Sequence, residues 1–95
     1  MGKAELKVPG GKLLRVSSTI KGGRIEEVRI TGDFFMHPED AIDELERRLK
    51  GVSSDEAAIR GVVEAFFKSV APTVLGAAPQ DFAEVILRSI SGAAS

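Results

Sequence analysis

The residues with the most reactive side chains in this 95-residue chain are concentrated in one short segment, residues 32–40. The segment reads G-D-F-F-M-H-P-E-D and contains His37, the only histidine, together with the carboxylates of Asp33, Glu39 and Asp40. Such side chains can bind a metal ion, and an aspartate with a histidine can transfer protons. A zinc or two-metal site usually needs two or more His or Cys residues, or carboxylates repeated one helical turn apart. The segment has neither, so it does not predict a metal site.

Other kinds of catalysis are no better supported by the residue types. General acid–base catalysis by Asp33 and His37 would need a cleft and a second group that the sequence does not identify. The chain has no cysteine, which excludes disulfides, zinc–thiolate sites, iron–sulfur ligation and thiol nucleophiles. It also has no G-x-S-x-G motif. We therefore predict no catalytic residue, and we expect Asp33 to cap a turn or to pair with an arginine.

The second candidate site is P-G-G-K at residues 9–12. It lacks the spacing of a phosphate-binding loop and precedes a strand, so no helix N-terminus follows to bind phosphate. One interpretation is a tight turn. The other is a mobile segment in which Gly10 and Gly11 bring the ammonium group of Lys12 to a phosphate on another chain.

Composition and charge indicate one globular domain. The chain is 43% hydrophobic with a net charge of -1, and no apolar run is long enough to cross a membrane, so we expect a cytoplasmic protein. Residues 1–30 hold seven Lys and Arg against three Glu, whereas residues 31–95 hold six against eleven acids. This basic half can face a phosphate or an acidic partner, although segregated charge often has no function. The absence of Tyr and Trp and a pI of 5.8 disfavour nucleic-acid binding.

Two segments on either side of Gly22 and Gly23 alternate apolar and polar residues with the period of a β-strand. A loop of these two glycines alone would pair Val16 with Arg29, which puts a charge on the apolar face. A three-residue or bulged loop instead pairs Val16 with Ile30 and keeps that face apolar. The same register pairs Ser18 with Val28 and Leu14 with Gly32. We predict strands at about 12–20 and 25–32, with a third antiparallel strand at about 5–8.

Helical spacing of apolar residues predicts helices at about 38–50, 54–70 and 79–91. Pro38 suits the first position of a helix, and Ser53 and Glu56 have the spacing of a capping box. The chain is thus predicted to be a single α+β domain, residues 1–95, in which an antiparallel sheet of about three strands precedes three helices packed on one face. Consecutive aromatic residues in an extended segment point to opposite sides. Phe34 and Phe35 are therefore not expected to enter the core together. The one that points away from the core is either exposed as an interface anchor or covered by the first helix.

Three sequence blocks in this order resemble the C-terminal accessory domain of lipoate-protein ligases. They are K-V-P-G-G-K-L-L-R-V at 7–16, G-R-I-E-E-V-R-I-T-G-D-F-F at 23–35, and a Pro-started acidic helix containing L-E-R-R-L at 45–49. The resemblance covers the chain from residue 7 to the last helix. It implies a fold similar to that of the iron–sulfur cluster scaffold proteins, whose ligand cysteines are absent here. In some archaea the domain is a separate small subunit, which this length matches.

The resemblance implies an accessory role in an AMP-forming ligase and no catalytic activity for this chain alone. The catalytic subunit of such a ligase binds ATP, Mg and lipoate, makes lipoyl-adenylate, and transfers the lipoyl group to a lysine of a lipoyl-domain acceptor protein. This chain would form a heterodimer with that subunit and be needed for the activation step. Interface or active-site-proximal positions are implied at Gly10, Gly11, Lys12, Gly32, Asp33, Phe34 and Phe35. The alternative is a stand-alone module of similar fold that binds protein or nucleic acid.

Overall fold

An antiparallel sheet and three helices form most of the molecule, and a computed structural model describes residues 2–8, 10 and 12–93. The elements in chain order are β1 (Gly2–Val8), β2 (Lys12–Lys21), β3 (Arg24–Gly32), β4 (Phe35–His37), α1 (Ala41–Leu49), α2 (Glu56–Val70), β5 (Thr73–Leu75) and α3 (Pro79–Ala93). The main sheet has the order β1-β2-β3. α1 lies against β3, α3 lies across β1 and β2, and α2 packs on α1 and α3. The predicted α+β class is confirmed.

The β2–β3 hairpin has the predicted register. Val16 pairs with Ile30, Ser18 with Val28 and Leu14 with Gly32. The loop consists of only Gly22 and Gly23, because Ile20 pairs with Ile25 and the register shifts between Thr19 and Ile20. This bulge adds one residue to β3 and lets a two-residue loop coexist with a uniformly apolar face.

The apolar face of the sheet and the helices enclose one core. Its fully buried side chains include Leu14, Ile25, Leu45, Leu49, Ile59, Phe66, Phe82, Val85 and Ile86. Two buried serines face each other between the sheet and α3. The Oγ atoms of Ser18 on β2 and Ser89 on α3 lie 2.9 Å apart. Because Ser89 Oγ already donates to the carbonyl oxygen of Ile86 at 2.7 Å, the Ser18 hydroxyl is the donor to Ser89.

The free edge of β3 is covered by α1 and by the connection to α2. The backbone N–H of Ile25 donates to the carbonyl of Val52 at 2.9 Å, and that of Gly51 donates to the carbonyl of Ile25 at 2.8 Å. The N–H of Ile30 donates to a carboxylate oxygen of Glu46 at 2.7 Å. Edge groups that are satisfied in this way do not offer a template for pairing with another strand.

The start of the first helix differs from the prediction. α1 begins at Ala41, and Pro38 lies in a turn in which the N–H of Ala41 donates to the Pro38 carbonyl at 3.0 Å. The physical reason is that residues 35–37 form β4, which pairs with β5 in a two-stranded sheet that we did not predict. The turn after this strand therefore contains Pro38, Glu39 and Asp40, and they do not form the first helical turn.

The capping box predicted for the second helix is also wrong. α2 begins at Glu56, and Asp55 caps it by accepting a hydrogen bond from the N–H of Ala58 at 2.8 Å. Ser53 cannot serve as the cap because its backbone bridges Arg24 of β3, and its hydroxyl donates to Asp55. Other boundaries move slightly: β1 begins at residue 2 instead of 5, and α3 extends to residue 93 instead of 91.

Candidate functional site

The small two-stranded sheet of β4 and β5, called the ribbon below, presents two large apolar side chains to solvent. Phe35 pairs directly with Leu75, so both side chains lie on the same side of the ribbon. Phe35 is 51% exposed and Leu75 62% exposed, and they are the exposed large apolar residues of the described chain. Met36, between the outward residues of β4, is 5% exposed and joins the core. The ribbon is thus fixed to the body through one side and uncovered on the other.

The two consecutive phenylalanines point in opposite directions. Phe34 packs edge-on against Phe82 of α3, with ring centroids 5.1 Å apart, and it is half-buried against the core. Phe35 instead lies parallel to the ring of His37 on the outer side, with centroids 6.5 Å apart. Phe35 is therefore the residue that the fold leaves available for contact, and α1 does not cover it.

The turn between β3 and β4 is held tightly against β2. The N–H of Asp33 donates to the carbonyl oxygen of Leu13 at 2.9 Å. Gly32 has a φ of 152°, and a Cβ at this position would overlap the same carbonyl oxygen. Only glycine permits this approach, so Gly32 fixes the direction in which the chain enters the ribbon. Within the described chain Asp33 takes part in none of the ion pairs, so the expected pairing with an arginine is not seen.

Lys12 lies beside the ribbon, against the residue that follows β5. A Cβ added to Gly76 would lie 2.8 Å from Lys12 Cγ and 3.3 Å from Lys12 Cδ. The aliphatic part of Lys12 therefore lies against the backbone of Gly76, the residue that follows Leu75. Gly10, by contrast, has open space around it, and Gly11 lies outside the described residues.

The structure thus brings together Lys12, the turn of Gly32 and Asp33, and Phe35, which the sequence analysis had selected separately. It also adds Leu75 and Gly76, which the sequence analysis missed. A three-residue strand is too short to show a period, and T-V-L-G after a proline resembles any connection between helices. The one available signal was Leu75 next to a glycine in a loop.

The acidic residues around His37 do not converge. Over residues 2–8, 10 and 12–93 no three His, Asp or Glu side chains gather as a metal-binding group. Glu44 on α1, away from this segment, accepts hydrogen bonds from Arg47 at 2.8 Å and from Arg48 at 2.9 Å. These hydrogen bonds lower the pKa of Glu44 below its ordinary value.

The outer face of the main sheet carries much of the positive charge of the first half. No helix packs on this side in the described structure, and Arg15 forms an ion pair with Glu5 at 2.7 Å. A hollow of about 340 Å³ on this side is lined by Lys3, Ala4, Glu5, Arg15, Val16, Ser17, Arg29 and Thr31. The basic half of the sequence is therefore a solvated sheet face, and Lys12 lies at the start of its middle strand.

Fold and surface together define a small α+β interaction domain, whose candidate site is an exposed apolar pair beside a lysine. Comparison with known proteins identifies the family. Residues 3–86 match the family described as the bacterial lipoate protein ligase C-terminus. The chain belongs to this family.

Two relatives support the assignment. Lipoate-protein ligase A subunit 2 of Thermoplasma acidophilum is 38% identical over 74 residues, which cover 78% of this chain and 76% of that protein. A solved structure of a bi-partite lipoate protein ligase and its E2 lipoyl domain, an archaeal lipoylation system from the same organism, has a chain that is 33% identical to this one. That chain superposes with a TM-score of 0.79 over 88% of this chain and 91% of its own length.

In the described part of this chain, no helix has the length and apolar character needed to cross a membrane.

Proposed function

We propose that this chain is the accessory subunit of a two-part lipoate-protein ligase. With the catalytic subunit it serves the ATP-dependent activation of lipoate to lipoyl-adenylate, the step before transfer to a lysine of a lipoyl domain. The observation that carries the proposal is the match along most of both chains to a protein that is itself a ligase subunit. This match favours a role in lipoylation over a stand-alone binding module.

In this proposal the chain contributes no reacting group of its own. ATP, Mg and lipoate bind to the catalytic subunit, and the two chains form a heterodimer in the cytoplasm. The accessory subunit covers the active site, which excludes water from a reactive acyl-adenylate and completes the positive surroundings of its phosphates. The proposal is supported by an exposed apolar pair suited to protein contact.

Lipoate-dependent release of pyrophosphate from ATP tests the proposal. The catalytic subunit is assayed alone, with this chain, and with an unrelated protein of similar size. We expect this chain to raise the rate and to release no pyrophosphate by itself. Equal rates with and without the chain would contradict the proposal.

A further inference from the structure

We propose that β5 and Gly76 complete the surface that docks on the catalytic subunit: Leu75 and Phe35 form its apolar anchor, and Gly76 holds Lys12 beside that anchor. This inference rests on the proposed function and specifies its interface. The anchor residues, Phe35 and Leu75, are 40 positions apart in the sequence and are brought together by the pairing of β4 with β5.

The apolar anchor follows from exposure and register. Among the described residues the two large exposed apolar side chains form one cross-strand pair, so they make one patch. Adjacent to it, a hollow of about 220 Å³ is lined by Phe34, Phe35, Met36, Glu39 and Ile42. An exposed apolar pair beside a hollow is suited to act as an interface anchor, because a few central side chains dominate affinity at many interfaces. Two side chains bury far less than the roughly 1,600 Å² of a standard interface, so they are the centre of a larger contact.

The charge of Lys12 fits the catalytic subunit of the proposed two-part ligase as the occupant. The Cγ and Cδ atoms of Lys12 lie against Gly76, the residue that follows Leu75, so the exposed lysine side chain starts from the end of the ribbon that carries the apolar pair. An ammonium at an interface is complemented by negative charge on the partner. In the proposed reaction, the catalytic subunit holds the phosphates of ATP, which are the anions that Lys12 complements. When the anchor is seated, Lys12 thus faces those phosphates.

Gly76 acts as a positioning residue. Its φ of 98° is in the left-handed region, and a Cβ would be only 2.8 Å from Lys12 Cγ. Because Cγ is close to the backbone, it can move away only by a change in the first side-chain torsion of Lys12. Any other residue at position 76 therefore displaces the lysine stem from its place against Gly76.

The two parts of the surface have separable effects. The test uses the whole chain, the catalytic subunit, ATP and lipoate, and it measures pyrophosphate release as the concentration of this chain is raised. Leu75→Glu and Phe35→Ala weaken the anchor, so each is expected to raise the half-saturating concentration by about 30-fold or more. Lys12→Ala leaves the anchor intact and is expected to lower the maximal rate about tenfold.

A matched control adds the same charge near the end of β3 that lies away from the ribbon. Ala57 is exposed in the first turn of α2. The segment just before α2 lies at the β2–β3 loop, because the N–H of Ser54 donates a hydrogen bond to the Gly23 carbonyl at 2.9 Å. That loop is roughly 26 Å from the ribbon end of β3, given about 3.3 Å per residue. Ala57→Glu is expected to keep the wild-type half-saturating concentration.

The outcomes separate this inference from the function on which it rests. Urea denaturation first shows that each variant folds, as expected for changes at exposed positions. If wild type raises the rate and both anchor variants have the half-saturating concentration of Ala57→Glu, the docking surface is wrong and the proposed function stands. If wild type itself does not raise the rate, both are overturned.

Discussion

Replacing Gly76 by alanine tests the placement of Lys12 through stability as well as activity. An alanine in the left-handed region costs about 1–2 kcal/mol. At Gly76 the added Cβ also collides with Lys12 Cγ, and rotating that side chain away costs about 0.5–1.5 kcal/mol more. We expect Gly76→Ala to lower the free energy of unfolding by about 1.5–3.5 kcal/mol.

Gly51 provides the control for the backbone contribution. Its φ is 83°, close to the 98° of Gly76, but a Cβ there meets nothing within 4 Å. Gly51→Ala should therefore cost only about 1–2 kcal/mol. The difference between the two alanine variants measures the contact with Lys12.

A double-mutant cycle isolates the same contact more directly. Lys12→Ala removes Cγ and Cδ, the atoms with which the new Cβ would collide, so Gly76→Ala should cost less in that background by about 0.5–1.5 kcal/mol. The assay is urea unfolding of the four proteins, followed by pyrophosphate release with the catalytic subunit. Gly76→Ala should lower the maximal rate as Lys12→Ala does, whereas Gly51→Ala should not. Additive stabilities within about 0.3 kcal/mol, together with a normal maximal rate, would refute the reasoning.

Three further predictions concern the fold and are all measured by urea unfolding. Ser89→Ala leaves the buried Ser18 hydroxyl without its acceptor and should cost about 1–3 kcal/mol, whereas the double alanine variant should cost less. The reverse order would show that the single variant leaves no unsatisfied hydroxyl. Asp55→Ala should lower the free energy of unfolding by about 1 kcal/mol, and Ser53→Ala by less than about 0.5 kcal/mol. Equal losses in the two variants would indicate that Ser53 also caps α2. Because its pKa is lowered in the folded state, Glu44 stabilises the fold above its ordinary pKa, and that contribution disappears as the pH falls through the lowered value. Glu44→Gln should thus be destabilising at neutral pH and no longer so in acid; a pH-independent difference would point to packing.

The sheet and the helical faces could be predicted because their signals extend over many residues. The choice of register rested on a single comparison, Val16 opposite Ile30 or opposite Arg29, and a charge on the core face decided it. The same comparison could not distinguish a three-residue loop from a bulge. Both give the same pairing from Ser18 back to Leu14, on the side of β2 away from the loop.

The ribbon could not be predicted because its two strands have three residues each and depend on a partner almost 40 positions away. Pairing at that distance is a tertiary effect that local propensity does not encode. The error at Pro38 has the same origin: a proline favoured at a helix start is equally suited to the turn after a strand. As a result, the sequence offered Phe34 and Phe35 without deciding which is exposed, and it did not indicate Leu75, the residue that pairs with Phe35.

The most direct test of the accessory role is the dependence of lipoate-activated pyrophosphate release on the concentration of this chain, with the catalytic subunit and ATP held constant. We predict a rate that rises and saturates at a fixed ratio of the two chains, with no release by this chain alone. A rate that is unchanged at every concentration, although the chain is shown to be folded, would contradict the accessory role.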